Sequence, residues 1–206
     1  MTVNRRTIGI TALGGLFLIV SLTLYFHVLS PQRELDLTLM ELGTVEIGKT
    51  QLPDVRTRIA DAHFANWKVV CDQQRCAALS RIENTFLHQL HLAPKTVVAP
   101  EIEFKNGVAS EIHIWVEISS SPNVAGAMYR TIGATVYQAA DTGNCNEHYS
   151  ADITVRGAKR WAIVTMGPCV TLQDRSKAFA INSRCLTRIG GCKSGEQILP
   201  KVFGTS

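Results

Sequence analysis

The sequence predicts an α+β fold: antiparallel β-hairpins with two or three helices form one disulfide-stapled domain after one N-terminal transmembrane helix. Three observations support this prediction. Residues 7–29 are apolar and uncharged, several pairs of segments show the alternation of strands, and the 206 residues include six cysteines. An apolar content of 46% with only 18% charged residues excludes a disordered chain, and the length suits a single domain.

Residues 7–29 have the length and composition of a membrane-spanning helix. As an α-helix they would rise about 35 Å, enough to cross a bilayer. Arg5 and Arg6 precede them, which favours residues 1–6 in the cytoplasm and residues 30–206 outside it. A cleaved signal peptide is the alternative, but its apolar core is usually roughly 7–15 residues long and Pro31 follows this segment directly. We therefore expect a signal-anchor helix.

The location follows from the same segment. The absence of an Asn-x-Ser/Thr sequon favours a bacterial inner membrane, with the C-terminal domain in the periplasm, over the secretory pathway and an extracellular domain. The expected partners are the lipid bilayer, through residues 7–29, and a protein of the cell envelope.

The predicted domain begins with a strand and a helix. Residues 34–42 carry leucines at alternate positions, which predicts a strand. A helix is then expected to begin after Thr50, because Thr is a favourable N-cap, Pro53 suits a first turn, and apolar residues follow at helical spacing.

Three pairs of segments predict β-hairpins: 67–71 with 76–82, 97–104 with 108–119, and 149–155 with 160–166. Residues 121–143 predict a helix between the second and third hairpins. A strand at 131–138 is the alternative, since Gly133 interrupts the helical pattern. Ser194 and Gln197 have the spacing of a capping box and predict a short helix before Pro200.

The apolar pattern predicts the register of the central hairpin. A two-residue loop would set Ile102 opposite Glu111 and mismatch the two faces. A three-residue loop at 105–107 sets Phe104 opposite Val108 and Glu101 opposite Glu111, with Gly107 in the left-handed region. We therefore expect the longer loop.

The six cysteines are expected to form three disulfides in a translocated domain. Fifteen pairings are formally possible, and the hairpin registers favour one set: Cys71–Cys76, Cys145–Cys169 and Cys185–Cys192. Zinc binding is the alternative, but the cysteine spacings miss those of zinc knuckles or lie at their edge. A redox role would require a Cys-x-x-Cys pair, which the sequence lacks.

Three motifs suggest chemistry and are set aside. Residues 43–50 match the phosphate-binding pattern G-x4-G-K-[ST], but residues 45–47 are strand-like, whereas such a loop curls around phosphates. His88 and His91 lack a third zinc ligand, and Cys145, beside His148, is expected to be oxidised. We expect no catalytic residue, metal or cofactor, and neither nucleotide nor nucleic acid as a partner.

The polar face of the central hairpin is the candidate binding surface, and it is expected to be either a solvated strand face or paired internally. Its members are Glu101, Glu103, Glu111, His113, Trp115 and Glu117. Like charges opposite each other destabilise a sheet. A divalent cation, a basic partner docked around Trp115, or internal pairing with basic residues of the C-terminal segment could offset that repulsion. The internal candidates are Arg184, Arg188 and Lys193.

The net charge of +4 hides a polarised chain. Residues 31–152 hold ten basic and fifteen acidic side chains, whereas residues 153–206 hold nine basic and two acidic ones. Because no aromatic residues are interleaved with the basic ones, anionic lipid or an acidic partner fits better than nucleic acid. We expect a binding or envelope-assembly role. The alternative is an extracytoplasmic hydrolase that uses the carboxylates and His113 of the polar face.

Overall fold

The computed structural model describes residues 5–61, 67–72, 75–119, 149–156, 159–168 and 170–203. The side chains of residues 5–20, 61, 149–156 and 159–160 lie outside that description. The helix or strand predicted within 121–143 and the predicted Cys145–Cys169 disulfide also lie outside the described residues.

The first helix, α1, runs from Arg5 to Gly43 and includes the segment 34–42, so the strand predicted there is wrong. Leu35, Thr38 and Leu42 are buried, whereas Leu37 is 36% exposed and Met40 is 64% exposed. Buried positions three, four and seven residues apart form one face of a helix. The alternate leucines are therefore explained by a helix that buries only some of them.

The apolar half of α1 contains the predicted anchor. Among the residues whose side chains the structure describes, no helix is long and apolar enough to cross a membrane. Residues 5–20, which include most of the predicted anchor, are helical in backbone, and their side chains lie outside the description. Tyr25 and Phe26, which follow them, are 61% and 66% exposed.

Seven described strands form one antiparallel sheet. Their bounds are Lys68–Cys71 (β1), Arg75–Leu79 (β2), Ile82–Glu83 (β3), Lys95–Lys105 (β4), Val108–Ser119 (β5), Tyr149–Arg156 (β6) and Lys159–Met166 (β7). The order is β1-β2-β4-β5-β7-β6, and β3 pairs with β4. The hairpin of β4 and β5 therefore lies at the centre, and the antiparallel α+β architecture predicted from the sequence is confirmed.

Short helices complete the fold. Their bounds are Leu52–Asp61 (α2), Thr85–Gln89 (α3), Leu172–Phe179 (α4), Ser183–Leu186 (a 3₁₀ helix), Gly195–Ile198 (α5) and Pro200–Phe203 (α6). One face of the sheet packs with the buried side of α1 and with apolar residues of α2 and α5 in a single core. Representative members are Leu35, Leu42, Val55, Ile102, Phe104, Ile112, Ile114, Val164 and Ile198.

Helix α4 binds the end of α1. Its N-cap is Thr171, whose hydroxyl accepts a hydrogen bond from the N–H of Asp174 at 3.0 Å. Arg175 donates to the carbonyls of Leu42 at 2.8 Å and Gly43 at 3.3 Å, and also to that of Val45. The last carbonyls of a helix lack partners within the helix, and the guanidinium provides them with hydrogen bonds. Its positive charge also interacts favourably with the negative end of the helix dipole.

The loop of the central hairpin is shorter than expected. Lys105 lies opposite Val108, so the loop has two residues, Asn106 and Gly107. Both have a positive φ, 53° and 79°, as a type I′ turn requires. The three-residue loop and the pairing of Phe104 with Val108 are therefore wrong.

A β-bulge keeps the apolar residues of β4 and β5 on the same face, although a two-residue loop alone would place them on opposite faces. The register shifts between Glu103 and Phe104, after which Glu103 lies opposite Glu111 and Ile102 opposite Ile112. One extra residue on β5 changes the pairing parity, and this is how a two-residue loop becomes compatible with the apolar pattern. The predicted pairing of Glu101 with Glu111 is wrong as well, because Glu101 lies opposite His113.

Two of the three predicted disulfides are confirmed: Cys71–Cys76 and Cys185–Cys192. Cys71 lies directly opposite Cys76 in the register of β1 and β2. The third hairpin also has its predicted register, with Val155 opposite Arg160.

We expect Leu35→Ala to lower the free energy of unfolding by about 2–5 kcal/mol, because it removes a fully buried side chain from the core. The matched variant Leu37→Ala should cost well under half as much, since Leu37 is 36% exposed. Urea unfolding of the full chain measures both. Equal losses would contradict the helix, because a strand would place both leucines on one face.

Candidate functional site

The polar face of the central hairpin is largely buried, so the solvated strand face, one of its two expected states, is wrong. Glu103, His113 and Glu117 are only 3%, 4% and 5% exposed. Glu101, Glu111 and Trp115 are half-buried. Charged groups are rarely taken this far from water without partners, so the contacts of these side chains determine what the face can do.

The strand register brings four polar groups around His113. Its two cross-strand neighbours are Glu101 on β4 and Thr165 on β7. The next pair on the same face of the hairpin is Glu103 with Glu111. Because side chains on one face of a sheet meet their opposite and diagonal neighbours, these groups form one cluster.

The imidazole of His113 is held between an alcohol and two carboxylates. Its Nδ1 lies 3.1 Å from Oγ1 of Thr165, a hydrogen-bond distance. Its Nε2 lies 3.4 Å from Oε2 of Glu111 and 3.8 Å from Oε2 of Glu103. The second pair of distances is longer than a charge-assisted hydrogen bond of about 2.7–2.9 Å, so the two carboxylates attract the ring without closing on it.

The remaining carboxylate oxygens face cations on the strand edges. Oε1 of Glu103 lies 3.6 Å from Arg75, and Oε1 of Glu111 lies 3.8 Å from Lys105. Within the part of the chain that the structure describes, these cations come from β2 and β4. Among the ion pairs of the described residues, none joins Arg184 or Arg188 to this face, which was one explanation for its acidic character. Since Arg75 and Lys105 are about half exposed, each pair contributes little by itself.

The cluster shifts the protonation of its members. Burial opposes a charged imidazole, but contacts with Glu103 and Glu111 and the charge of Glu101 outweigh it and raise the pKa of His113 to about 9. The contact with His113 holds the pKa of Glu111 below its usual value. Burial raises the pKa of Glu101. His113 is therefore charged at neutral pH and neutralises part of the carboxylate charge.

The other two predicted site residues lie further along β5. Trp115 stands between Ala99 and Ile163, and Glu117 is opposite Trp161. Glu117 is four residues from His113, about 13 Å along a strand. The structure thus brings Glu101, Glu103, Glu111 and His113 together and leaves Trp115 and Glu117 outside the cluster.

Sequence reasoning missed Thr165, Arg75 and Lys105. Thr165 alternates with the buried Val164 and Met166 on β7, so its face was readable, but its pairing with His113 depends on which strand lies beside β5. Arg75 reaches Glu103 because β2 pairs with β4, an adjacency that alternation alone does not reveal.

Comparison with protein-family models, with curated proteins and with solved structures finds no match for this chain. The function is therefore argued from the geometry.

We expect the stability of the full chain in metal-free buffer to fall as the pH rises from about 6.5 to about 9. Folding raises the pKa of His113 from 6.5 to about 9. The protonated ring therefore stabilises the folded state fully below pH 6.5, and this stabilisation is lost as the pH rises through about 9. His113→Gln should abolish this fall and lower the free energy of unfolding at pH 6, on the order of 3 kcal/mol, because it leaves buried carboxylates without their cation.

Lys105→Gln is the matched control for this measurement, since it removes a half-exposed cation from the same cluster. This variant should change the free energy of unfolding by less than about 1 kcal/mol. Its stability should still fall as the pH rises toward about 9. A His113→Gln variant with the same pH profile as the unaltered chain would contradict a charged His113.

Proposed function

We propose that this chain is a single-pass, membrane-anchored protein whose domain lies outside the cytoplasm and has a binding or envelope-assembly role. The observation that supports the proposal is the continuity of α1. One helix from Arg5 to Gly43 joins the apolar segment 7–29 to the core. At 1.5 Å per residue it is about 58 Å long, which is enough both to span a bilayer and to pack with the domain.

The exposed surface of α1 changes where the proposed anchor meets the domain. Leu22 and Leu24 are 49% and 43% exposed, and the aromatic residues Tyr25 and Phe26 are more exposed still. The next residue, His27, stacks on Phe86 of α3 with ring centroids 6.1 Å apart. Aromatic rings favour the membrane interface, so this level of α1 is where we place the bilayer surface.

Contacts of α1 identify the end of the domain that would lie on the membrane. Gln32 accepts a hydrogen bond from Thr187 at 3.1 Å, and Phe86 lies beside His27, within a few residues of the proposed interface. This end exposes three large apolar side chains: Leu90 (52%), Leu92 (41%) and Ile189 (70%). The N–H of Gly190 donates to the carbonyl of Leu92, which ties the two exposed segments together.

Basic residues flank this apolar end. Arg33, Arg184 and Arg188 are all exposed, and they belong to α1 and to the 3₁₀ helix with its following turn. A mixture of exposed leucine, isoleucine and arginine suits the boundary between anionic headgroups and acyl chains. The proposed position of the bilayer thus gives Arg33, Arg184 and Arg188 a partner of opposite charge in the anionic headgroups.

Hydrolysis by the carboxylates and His113 is the less well supported function. Glu103 and His113 are 3% and 4% exposed, so a substrate would have little access to them. The carboxylates lie 3.4 Å and 3.8 Å from Nε2 of His113, and Nδ1 of the same ring lies at hydrogen-bond distance from Thr165, so the groups that a hydrolase would use face one another rather than an open cleft.

Reporter fusions after Ser206 test the topology. We expect alkaline phosphatase fused there to be active and green fluorescent protein to be dark, because only the former folds in the periplasm when exported by this route. The double variant Leu16→Arg, Leu18→Arg should lose the membrane-bound, active fusion, since two central arginines cost about 5–7 kcal/mol on insertion scales. Met40→Arg, on an exposed part of α1 in the domain, is the matched control and should keep it. Cytoplasmic fluorescence of the unaltered fusion would contradict the proposal.

A fluorescent label tests the orientation of the domain. The full chain, carrying Ile189→Cys labelled with an environment-sensitive dye, is reconstituted in vesicles of zwitterionic and anionic lipid. We expect the dye at position 189 to emit at a shorter wavelength than the same dye attached to a soluble peptide in buffer. Leu172→Cys is the matched control, because it is 87% exposed but lies on α4, which contacts the far end of α1. Equal emission at the two positions would contradict a membrane-facing end.

A further inference from the structure

We propose that Glu103, Glu111 and His113 form a binding site for a divalent transition-metal ion of the Zn²⁺ class, closed within the polar face of the sheet. The inference is independent of the proposed membrane topology, because it rests on three side chains of the β4–β5 hairpin. It also revises the expectation, drawn from the sequence, that the chain has no metal ligand.

The first support is geometric. One ligand atom from each of the three side chains lies within 4.8 Å of the other two. Two of these distances, from Nε2 of His113 to the carboxylates, are 3.4 Å and 3.8 Å. Ligands at about 2.1 Å in a tetrahedral arrangement lie about 3.4 Å from one another. The two distances from His113 to the carboxylates are therefore near the spacing that one ion between these atoms would impose.

The second support is the state of the imidazole. His113 is 4% exposed, and among the described residues its Nε2 makes no hydrogen bond. A buried ring nitrogen aimed at two carboxylate oxygens, at more than hydrogen-bond distance, is oriented as a ligand would be. An ion between these atoms would give Nε2 of His113 the partner that it lacks among the described residues.

Thr165 supplies the support that a histidine ligand needs. Its hydroxyl lies 3.1 Å from Nδ1 of His113 and can accept that nitrogen's proton in a hydrogen bond. This contact fixes the ring, so that Nε2 points its lone pair toward the carboxylates once an incoming ion has displaced its proton to solvent. Thr165 is thus a positioning residue for the site, directly opposite His113 on β7.

The donor set selects the class of ion. Imidazole nitrogen with carboxylate oxygen suits Zn²⁺ and related ions, whereas Ca²⁺ and Mg²⁺ prefer oxygen ligands alone. Glu101 lies opposite His113 but is not one of the three converging ligands, so a water molecule would complete the coordination. Because Glu103 and His113 are buried and Glu111 is 18% exposed, the ion would enter past Glu111 and act structurally, holding β4 to β5.

Zn²⁺ titration against a competing chromogenic chelator tests the site, with the full chain purified in detergent and stripped of metal. We expect one Zn²⁺ per chain and a melting temperature that rises with the ion. Mg²⁺ and Ca²⁺ should bind about 100-fold or more weakly. Substituted Co²⁺ should give the strong visible absorption of four-coordinate geometry.

Variants assign the ion to these residues. Glu111→Gln should weaken Zn²⁺ binding by about 100-fold or more, and it should fold because Glu111 lies at the edge of the cluster. Thr165→Val keeps the shape of the side chain and should weaken binding by about 10–100-fold, because it removes the hydroxyl that orients the ligating histidine. His91→Gln removes an exposed histidine elsewhere and should leave binding unchanged.

Three results would overturn the proposal: no stoichiometric Zn²⁺ binding, Ca²⁺ or Mg²⁺ binding as tight as Zn²⁺, or Zn²⁺ affinity unchanged in both Glu111→Gln and Thr165→Val. Loss of binding in His91→Gln would assign the ion to an exposed histidine and would overturn it as well. Each variant is checked by circular dichroism, and the affinities of folded variants decide.

Discussion

The fold depends on the burial of one half of α1. Leu35 and Leu42 lie at the centre of the core, against the apolar face of the sheet. Contacts then fix α1 at both ends of the domain, through Arg175 at its C-terminal carbonyls and through Thr187 and Phe86 near residues 27–32. The helix is continuous from Arg5 to Gly43, with Pro31 inside it, so the buried half of α1 sets where the apolar segment leaves the domain.

The same core explains why the polar face is informative. Once the register of β4 and β5 is fixed by apolar residues on one side, the charges on the other side cannot move apart. The bulge beside Glu103 sets this carboxylate opposite Glu111, a repulsive pair. His113 lies diagonal to Glu103 and two residues along the same strand from Glu111, and its positive charge compensates for the repulsion. The cluster is thus a consequence of a two-residue turn that the apolar pattern could tolerate only with an extra residue.

The sequence predicts what is local and misses what is tertiary. The Cys71–Cys76 and Cys185–Cys192 disulfides and the register of Val155 with Arg160 follow from short turns, and these predictions are confirmed. The segment 34–42 fits both periods, and only continuity with the preceding helix decides between them. The bulge is invisible to alternation because the predicted and observed registers differ by two residues, which keeps every side chain on its face.

For the candidate site, the sequence predicts which residues share a face but not how deeply they are buried. Alternation places Glu101, Glu103, Glu111 and His113 on one face, as observed. Their burial could not be read from the sequence, since it depends on what packs on that face. Burial changes the chemistry: exposed carboxylates are hydrated and need no partner, whereas Glu103 at 3% exposure requires a positive charge close by. At neutral pH a proton on His113 can supply that charge, and a divalent ion at Nε2 would supply more while replacing the proton. A proton and a divalent ion therefore compete for Nε2 of His113. The raised pKa of His113 reflects how strongly the neighbouring carboxylates attract a positive charge.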